Sequence, residues 1–312
     1  MQRQQSHERK KEIVKVTLVG TLANFFLLAF KFAAGILGRS GAMIADAVHS
    51  LSDFATDIVV LLFVNISAKP KDDTHDYGHG KYETLATSVI GIVLFFVGAG
   101  LMWDGAKKIY GHYFLDLELE SPGTIALVAA LVSIAVKEAL YRYTATVGRR
   151  ENSPAVTANA WHHRSDAFSS IGTALGIGGA ILLGPSWRIL DPLAAILVSV
   201  LIVKVAFSLV KPAVDELLEK SLPKDTEDEI ISLIMNTPGV SDPHNLCTRR
   251  IGNSIAIEVH IRVDAAATVS YAHELTKTIE KRLRGRFGQD THINLHVEPI
   301  ESGVFGPCAR KN

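Results

Sequence analysis

The chain has 312 residues, 48% hydrophobic and 21% charged, and its 32 lysines and arginines balance 32 aspartates and glutamates. That balance excludes a protein that holds nucleic acid by replacing phosphate counterions. The two cysteines, Cys247 and Cys308, form no CxxC pair, which excludes a disulfide framework and a thiolate zinc knuckle. A positive mean hydropathy beside an ordinary charge content implies segregation into a greasy part and a polar part.

The polar, basic N-terminus MQRQQSHERKKE has no short apolar run ending in small residues, so it does not read as a cleaved signal peptide. Six apolar stretches follow, at 13–37, 42–66, 84–109, 123–147, 156–183 and 189–211. Each is near the roughly 20 residues needed to cross a bilayer. The third carries no charge from Leu85 to Met102, whereas the second, fifth and sixth contain ionisable groups. Basic residues gather before span one (Arg9, Lys10, Lys11), between spans two and three (Lys69, Lys71, Lys81) and after span four (Arg149, Arg150). The three-to-four loop is acidic, with Asp116, Glu118 and Glu120. By the positive-inside rule both termini face the cytoplasm.

After Lys211-Pro212 the composition turns polar, so residues 1–212 read as a six-helix membrane domain and 213–312 as a cytoplasmic α+β domain. The tail is expected to run helix, strand, strand, helix, strand. Thr226–Asn236 has helical spacing and Pro238-Gly239 ends it. Ser254–Asp264 alternates, with Ile255, Ile257, Val259, Ile261 and Val263 on one face. Thr268–Arg286 is amphipathic, and His292–Glu298 alternates again.

Span two contains Asp46, His49, Asp53 and Asp57, and span five the run Trp161-His162-His163-Arg164-Ser165-Asp166. His49 and Asp53 are four apart and share a helix face, as do His162 and Asp166. Two imidazoles and two carboxylates make a tetrahedral N2O2 set suited to Zn²⁺ and tolerant of other first-row divalent ions. Ionisable groups at membrane depth are costly unless paired or functional, and the repetition on two helices favours metal over a structural ion pair. His163, about 100° around the helix from His162, is expected to face solvent. Asp46 reads as a vestibule charge near the outer end of span two, Lys31 as a snorkelling group and Asn24 as a packing group.

Between spans two and three, Lys71–Lys81 packs Asp72, His75 and His79 beside Gly78 and Gly80, which let the chain turn sharply. Three such ligands plus water make an open metal site, against the plainer reading of a solvated acidic loop. In the tail, His296 and Glu298 share a strand face, and His244, His260 and His273 supply further imidazoles for one or two ions. His292, at the start of its strand, is left out.

HSLSD on span two, HHRSD on span five, the DDTHDYGHGK loop and a small α+β tail together resemble the cation diffusion facilitator family over nearly the whole chain. The resemblance implies a homodimeric, proton-coupled exporter of divalent metal, no enzyme, with a metallochaperone-like (ferredoxin-like) tail. It implies a transport site of His49, Asp53, His162 and Asp166, a loop site of Asp72, His75 and His79, and a tail site of His244, His260, His273, His296 and Glu298. Zn²⁺ is the implied substrate and regulator, with Cd²⁺, Co²⁺, Ni²⁺ and Fe²⁺ open, and protons are the counter-substrate. The implied partners are a second copy of the chain and the lipid bilayer, with no nucleic acid, in a bacterial inner membrane. Two departures stand out: some members carry Asp where His49 stands, and their tail has His-x-Asp where this chain has His296-x-Glu298. In the family Lys81 pairs with an acidic residue after span six, either Glu219 or Glu216.

Metal needs neutral imidazole and ionised carboxylate, so protons compete for the four intramembrane ligands. An imidazole's ordinary pKa, about 6.5, lies close to cytoplasmic pH. A metal hydrolase is the first rival, but there is no HExxH, since Lys277 follows His273-Glu274 where a second histidine would stand. A non-transporting sensor is the second, and it would gain nothing from ionisable groups in its anchor. A channel fits poorly, because tight tetrahedral ligation traps an ion.

Overall fold

The computed structural model describes residues 2–67, 69, 71–150, 154–252 and 254–300. They form six long helices, α1 (Gln2–Leu37), α2 (Gly41–Ser67), α3 (Lys81–Phe114), α4 (Thr124–Arg150), α5 (Pro154–Leu182) and α6 (Leu190–Leu217). The tail follows as α7 (Lys224–Met235), β1 (Ser241–Ile251), β2 (Ser254–Val263), α8 (Val269–Phe287) and β3 (His292–Pro299). The chain divides into two compact units, one of residues up to Ile58 with Val89–Leu209, the other of Val59–Ser88 with Val210 onward. The second unit therefore includes the 59–88 segment, which the sequence assigns to the membrane domain.

Among the described residues, Lys15–Leu37, Lys81–Phe114, Thr124–Arg150 and Pro185–Leu217 are long and apolar enough to cross a membrane. The other two long helices, α2 and α5, carry the His-x-x-x-Asp pairs. At 1.5 Å per residue, the 27 residues of α2 reach roughly 40 Å, beyond a hydrocarbon core of roughly 30 Å. α6 runs through Pro212 to Leu217, past the expected end at Val210-Lys211. A proline removes a single backbone hydrogen bond, and here it falls in the helix's last two turns.

In the first unit α4 packs on both α5 and α1. Its core is built of small residues, among them Ala34, Ala42, Ala126, Ala129, Ala130 and Ala174, closed by Met43 and Ile177. Helices in lipid gain little from apolar burial, so close backbone approach is what joins them. Gly176 shows the constraint: a Cβ there would lie 2.3 Å from Ala194 Cβ. Large apolar side chains such as Phe26, Phe96, Leu175 and Leu182 stay exposed, as a lipid-facing surface requires. The N-terminus of α2 is capped from α6. Asp191 accepts from the Ser40 hydroxyl and from Gly41 N–H, while Ser40 Oγ accepts from Met43 N–H.

In the second unit the sheet order is β1-β2-β3, with β1 antiparallel and β3 parallel to β2. The alternating face of β2 is buried: Ile255, Ile257, Val259 and Ile261 pack with Leu222, Ile230 and Ile234 on one side of the sequence and Ile279 and Leu283 on the other. Burying one such isoleucine is worth about 1.5–3 kcal/mol. The opposite face carries Glu258, His260 and Arg262, half-buried. β1 is irregular, with register shifts around His244 and left-handed backbone at Asp242 (φ 45) and Asn245 (φ 51). Pro243 sits inside this bulge, one of the few strand positions that tolerates proline.

Candidate metal centres

α2 and α5 bring the expected quartet together. Donor atoms of His49, Asp53 and Asp166 lie within 4.8 Å of one another. His162 stands at their edge, half exposed, with Nε2 3.8 Å from Asp53 Oδ2 and Nδ1 4.0 Å from Asp166 Oδ1. His49 Nδ1 and Asp53 Oδ2 are buried with no hydrogen-bond partner. Buried polar atoms are normally satisfied, so these two orphans could serve as donors to a cation. Two imidazoles and two carboxylates suit zinc by type. The side chain of Asp57, in the same span, lies outside the described residues.

Three sequence expectations fail in this unit. His163 does not face solvent: it is 2% exposed, with both ring nitrogens unpartnered. α1 covers it at Gly20, where a Cβ would sit 3.5 Å from Nε2, in ordinary van der Waals contact. Asp46 is not a vestibule charge, and Lys31 does not snorkel. They form a fully buried ion pair at 2.7 Å, and Lys31 Nζ also donates to Ser50 and Ser170. Ser170 donates to Asp46 and touches Ser133 at 3.1 Å. Lysine and aspartate at membrane depth find each other because leaving either alone is far costlier than pairing them.

A residue the sequence reading missed completes the layer of the quartet. Lys137 of α4 is buried and donates to Asp166 Oδ2 at 2.7 Å. The available signal was its position, a lysine next to Glu138 in the middle of a span whose preceding turn, Ile134–Val136, is wholly apolar.

In the second unit, Asp72, His75 and His79 converge within 4.8 Å. A tight turn makes them do so: Asp72 and His75 exchange backbone hydrogen bonds, and Asp72 Oδ1 accepts from Thr74 N–H, Thr74 Oγ1 and His75 N–H. Those bonds, the Thr74 hydroxyl first, hold the Asp72 carboxyl down to about 2. The imidazoles of His75 and His79 are 4.1 Å apart, Tyr82 stacks on His79, and His79 Nδ1 is buried without a partner. Asp72 is thus ionised and Asp72 Oδ2 lies 3.5 Å from His79 Nε2. The set fits an open site of two nitrogens and one oxygen.

Sheet register builds the tail cluster. His244 pairs with His260 across β1–β2, and His260 with His296 across β2–β3, so three imidazoles stand in a row. Glu298 accepts from His260 at 3.0 Å, lies 3.2 Å from His244 Nε2 and 3.7 Å from Arg262 Nε. The His260 hydrogen bond, aided by the neighbouring cations, holds the Glu298 carboxyl below its ordinary range. His244, His260 and Glu298 have donors within 4.8 Å of one another, and His296 Nε2 is 3.9 Å from Glu298. His273 does not join them. It is exposed on α8, because that helix buries its Leu275–Ile279–Leu283 stripe against the other face of the sheet.

Lys81, at the start of α3, bonds Glu219 just after α6. Glu219 adopts a left-handed backbone (φ 60) and also takes Arg249 at 3.0 Å. Glu216 is engaged elsewhere, accepting from Thr84 Oγ1 and from Gly252 N–H. Gly252 (φ +58) meets Gly80 so closely that a Cβ on it would be 2.7 Å from Gly80 O, which is why the loop's glycine and the β1–β2 turn's glycine cannot carry side chains.

Comparison with known proteins agrees with this architecture. Residues 17–218 match the family model described as the cation efflux transmembrane domain, and residues 222–300 the cation efflux protein, cytoplasmic domain. Metal tolerance protein C1 of Arabidopsis thaliana is 34% identical over 95% of this chain, and the chain spans 64% of that relative's length. Manganese efflux system protein MneP of Bacillus subtilis is 32% identical over 94% of this chain and 98% of its own. Among solved structures, the metal-bound C-terminal domain of the CzcD transporter from Thermotoga maritima is 33% identical, covering 27% of this chain and all of that one, with a TM-score of 0.24. The chain belongs to the cation diffusion facilitator family, a family of divalent-metal transporters, and is a multi-pass membrane protein with a helical transmembrane domain and a C-terminal cytoplasmic α+β domain.

Proposed function

We propose that this protein exports a divalent cation, zinc first, in exchange for protons, as a homodimer in a plasma membrane with both termini in the cytoplasm. The ion binds to His49, Asp53, His162 and Asp166 between α2 and α5. The observation that carries the reading is the pair of buried, unpartnered atoms, His49 Nδ1 and Asp53 Oδ2, facing a carboxylate on the neighbouring helix. Two imidazoles favour zinc over manganese, which prefers oxygen. A loaded ion displaces protons from the ligands, and returning protons release it on the far side as the helices rock between two states. Only differential affinity for those states gives the ion any hold on the equilibrium. The loop and tail clusters bind further metal, steadying the dimer when metal is abundant. Six spans, residues 1–212 as transport domain and 213–312 as regulatory domain complete the reading.

Purified full-length protein in proteoliposomes, given a panel of divalent ions with a pH dye inside, tests it. Zinc movement accompanied by counter-movement of protons is the expected result. Metal movement with no proton flux removes the exchange, and no divalent flux removes the function.

A further inference from the structure

Asp166 does not stand free in the quartet. Lys137 reaches it from α4 with Nζ 2.7 Å from Oδ2, both side chains almost fully buried. Its other oxygen, Oδ1, is the one turned towards His162, 4.0 Å from Nδ1. The carboxylate is therefore split, one oxygen held by an ammonium and one left facing the cluster. Such a charge-assisted hydrogen bond is strong, and a buried lysine has no cheap alternative to it.

We propose that Lys137 is a specificity-determining positioning residue: by holding Asp166 Oδ2 it lets that carboxylate meet the transported ion through Oδ1 alone. The inference rests on the reading of the quartet as the transport site. A carboxylate limited to one oxygen suits a small, four-coordinate ion such as Zn²⁺. Harder ions that take six or more oxygens gain from carboxylates able to bind through both. Lys137 also offsets one of the two carboxylate charges, so the cluster is not left with a surplus that would favour any dication indiscriminately. Neither effect needs Lys137 to touch the ion. α4 packs along α5 and so fixes where the ammonium sits.

The test is competitive Zn²⁺ and Mn²⁺ uptake by full-length protein in proteoliposomes, comparing wild type with Lys137→Met and Lys137→Arg. Methionine has similar length without charge or donors, and arginine keeps both. Lys137→Met is expected to lower the Zn²⁺-over-Mn²⁺ preference about ten-fold, the lower end of what partners of metal ligands contribute. Lys137→Arg is expected to keep the preference within about two-fold. An unchanged preference in Lys137→Met overturns the inference, as does equal loss of both ions in both variants, which would make Lys137 a helix-holding ion pair only. The parent reading fails separately, if wild type moves neither ion.

Discussion

The quartet between α2 and α5 and the tail cluster on the sheet share the same donor types and differ in how those donors are satisfied. In the membrane unit His49 Nδ1 and Asp53 Oδ2 are buried with nothing to bond. In the tail every group of the row is partly open to solvent, and Glu298 already has His260, His244 and Arg262 around it. An ion entering the tail cluster must displace existing bonds, whereas at these two atoms of the first cluster it need not. That difference supports the proposed division, with carriage of the ion by the first and a graded response to metal level by the second. The buried charges follow the same division. Lys31–Asp46 and Lys137–Asp166 are sealed from water, whereas Lys81–Glu219 is a third to a half exposed.

The largest effects should come from the quartet. Asp53→Ala is expected to abolish transport, at least about a hundred-fold, with little loss of stability, since the ion pair it breaks, with the half-exposed His162 at 3.8 Å, is a long one. Asp166→Ala should abolish transport and also destabilise by about 3–5 kcal/mol, because it strands Lys137. Transport assays beside thermal unfolding of both variants would check this, and equal stability of the two would deny that Lys137 depends on Asp166.

His260→Ala should weaken zinc binding by the tail about ten-fold, read by calorimetry on full-length protein carrying Asp53→Ala, while transport in the otherwise wild-type chain continues at lower apparent affinity. The pH dependence has a definite sign. Glu298 sits below its ordinary range, so its contribution to stability is present above the ordinary carboxylate pKa and is lost only as pH falls through the lower folded value. Thermal unfolding of full-length protein against pH, wild type beside Glu298→Gln, should therefore show the difference between them persist down to the ordinary carboxylate pKa and vanish only below it. A difference already lost above that pKa would contradict the lowered value. His273→Ala should leave zinc binding by the tail unchanged, since His273 is exposed on α8.

His49→Asp trades a nitrogen for an oxygen and should shift preference several-fold towards harder ions such as Mn²⁺. Competition transport reads the ratio, and no change would mean His49 does not set it. The smallest effect belongs to Lys81→Gln, about 0–1 kcal/mol in unfolding, as for other exposed pairs. A loss of several kcal/mol would show that the pair is far better shielded than its exposure implies.

Much of this was legible because helical and strand periods are local. His49 with Asp53, and His162 with Asp166, were found by a four-residue spacing, and the buried face of β2 by alternation. What failed was partner choice across the chain. A lysine in an apolar span looks alike whether it reaches lipid headgroups or a carboxylate on another helix, so spacing reveals neither the partner of Lys31 nor that of Lys137, which has Glu138 beside it in sequence. Helical angle told that His163 points away from His162, but not that Gly20 lies over it. β1 escaped delimitation because Pro243 and the bulge at Asp242–Asn245 break its alternation, although that bulge is what brings His244 opposite His260. His273 was placed with the tail row by residue type alone.

The account stands on where the transported ion sits, and X-ray absorption at the zinc edge addresses that directly. The sample is full-length protein whose loop and tail clusters are disabled by His75→Ala, His79→Ala, His244→Ala and His260→Ala, loaded with one equivalent of zinc. The predicted spectrum is a four-coordinate shell of two nitrogens and two oxygens at about 2.0–2.1 Å, lost on adding Asp53→Ala. A six-oxygen shell, or a spectrum that Asp53→Ala leaves unchanged, would contradict it.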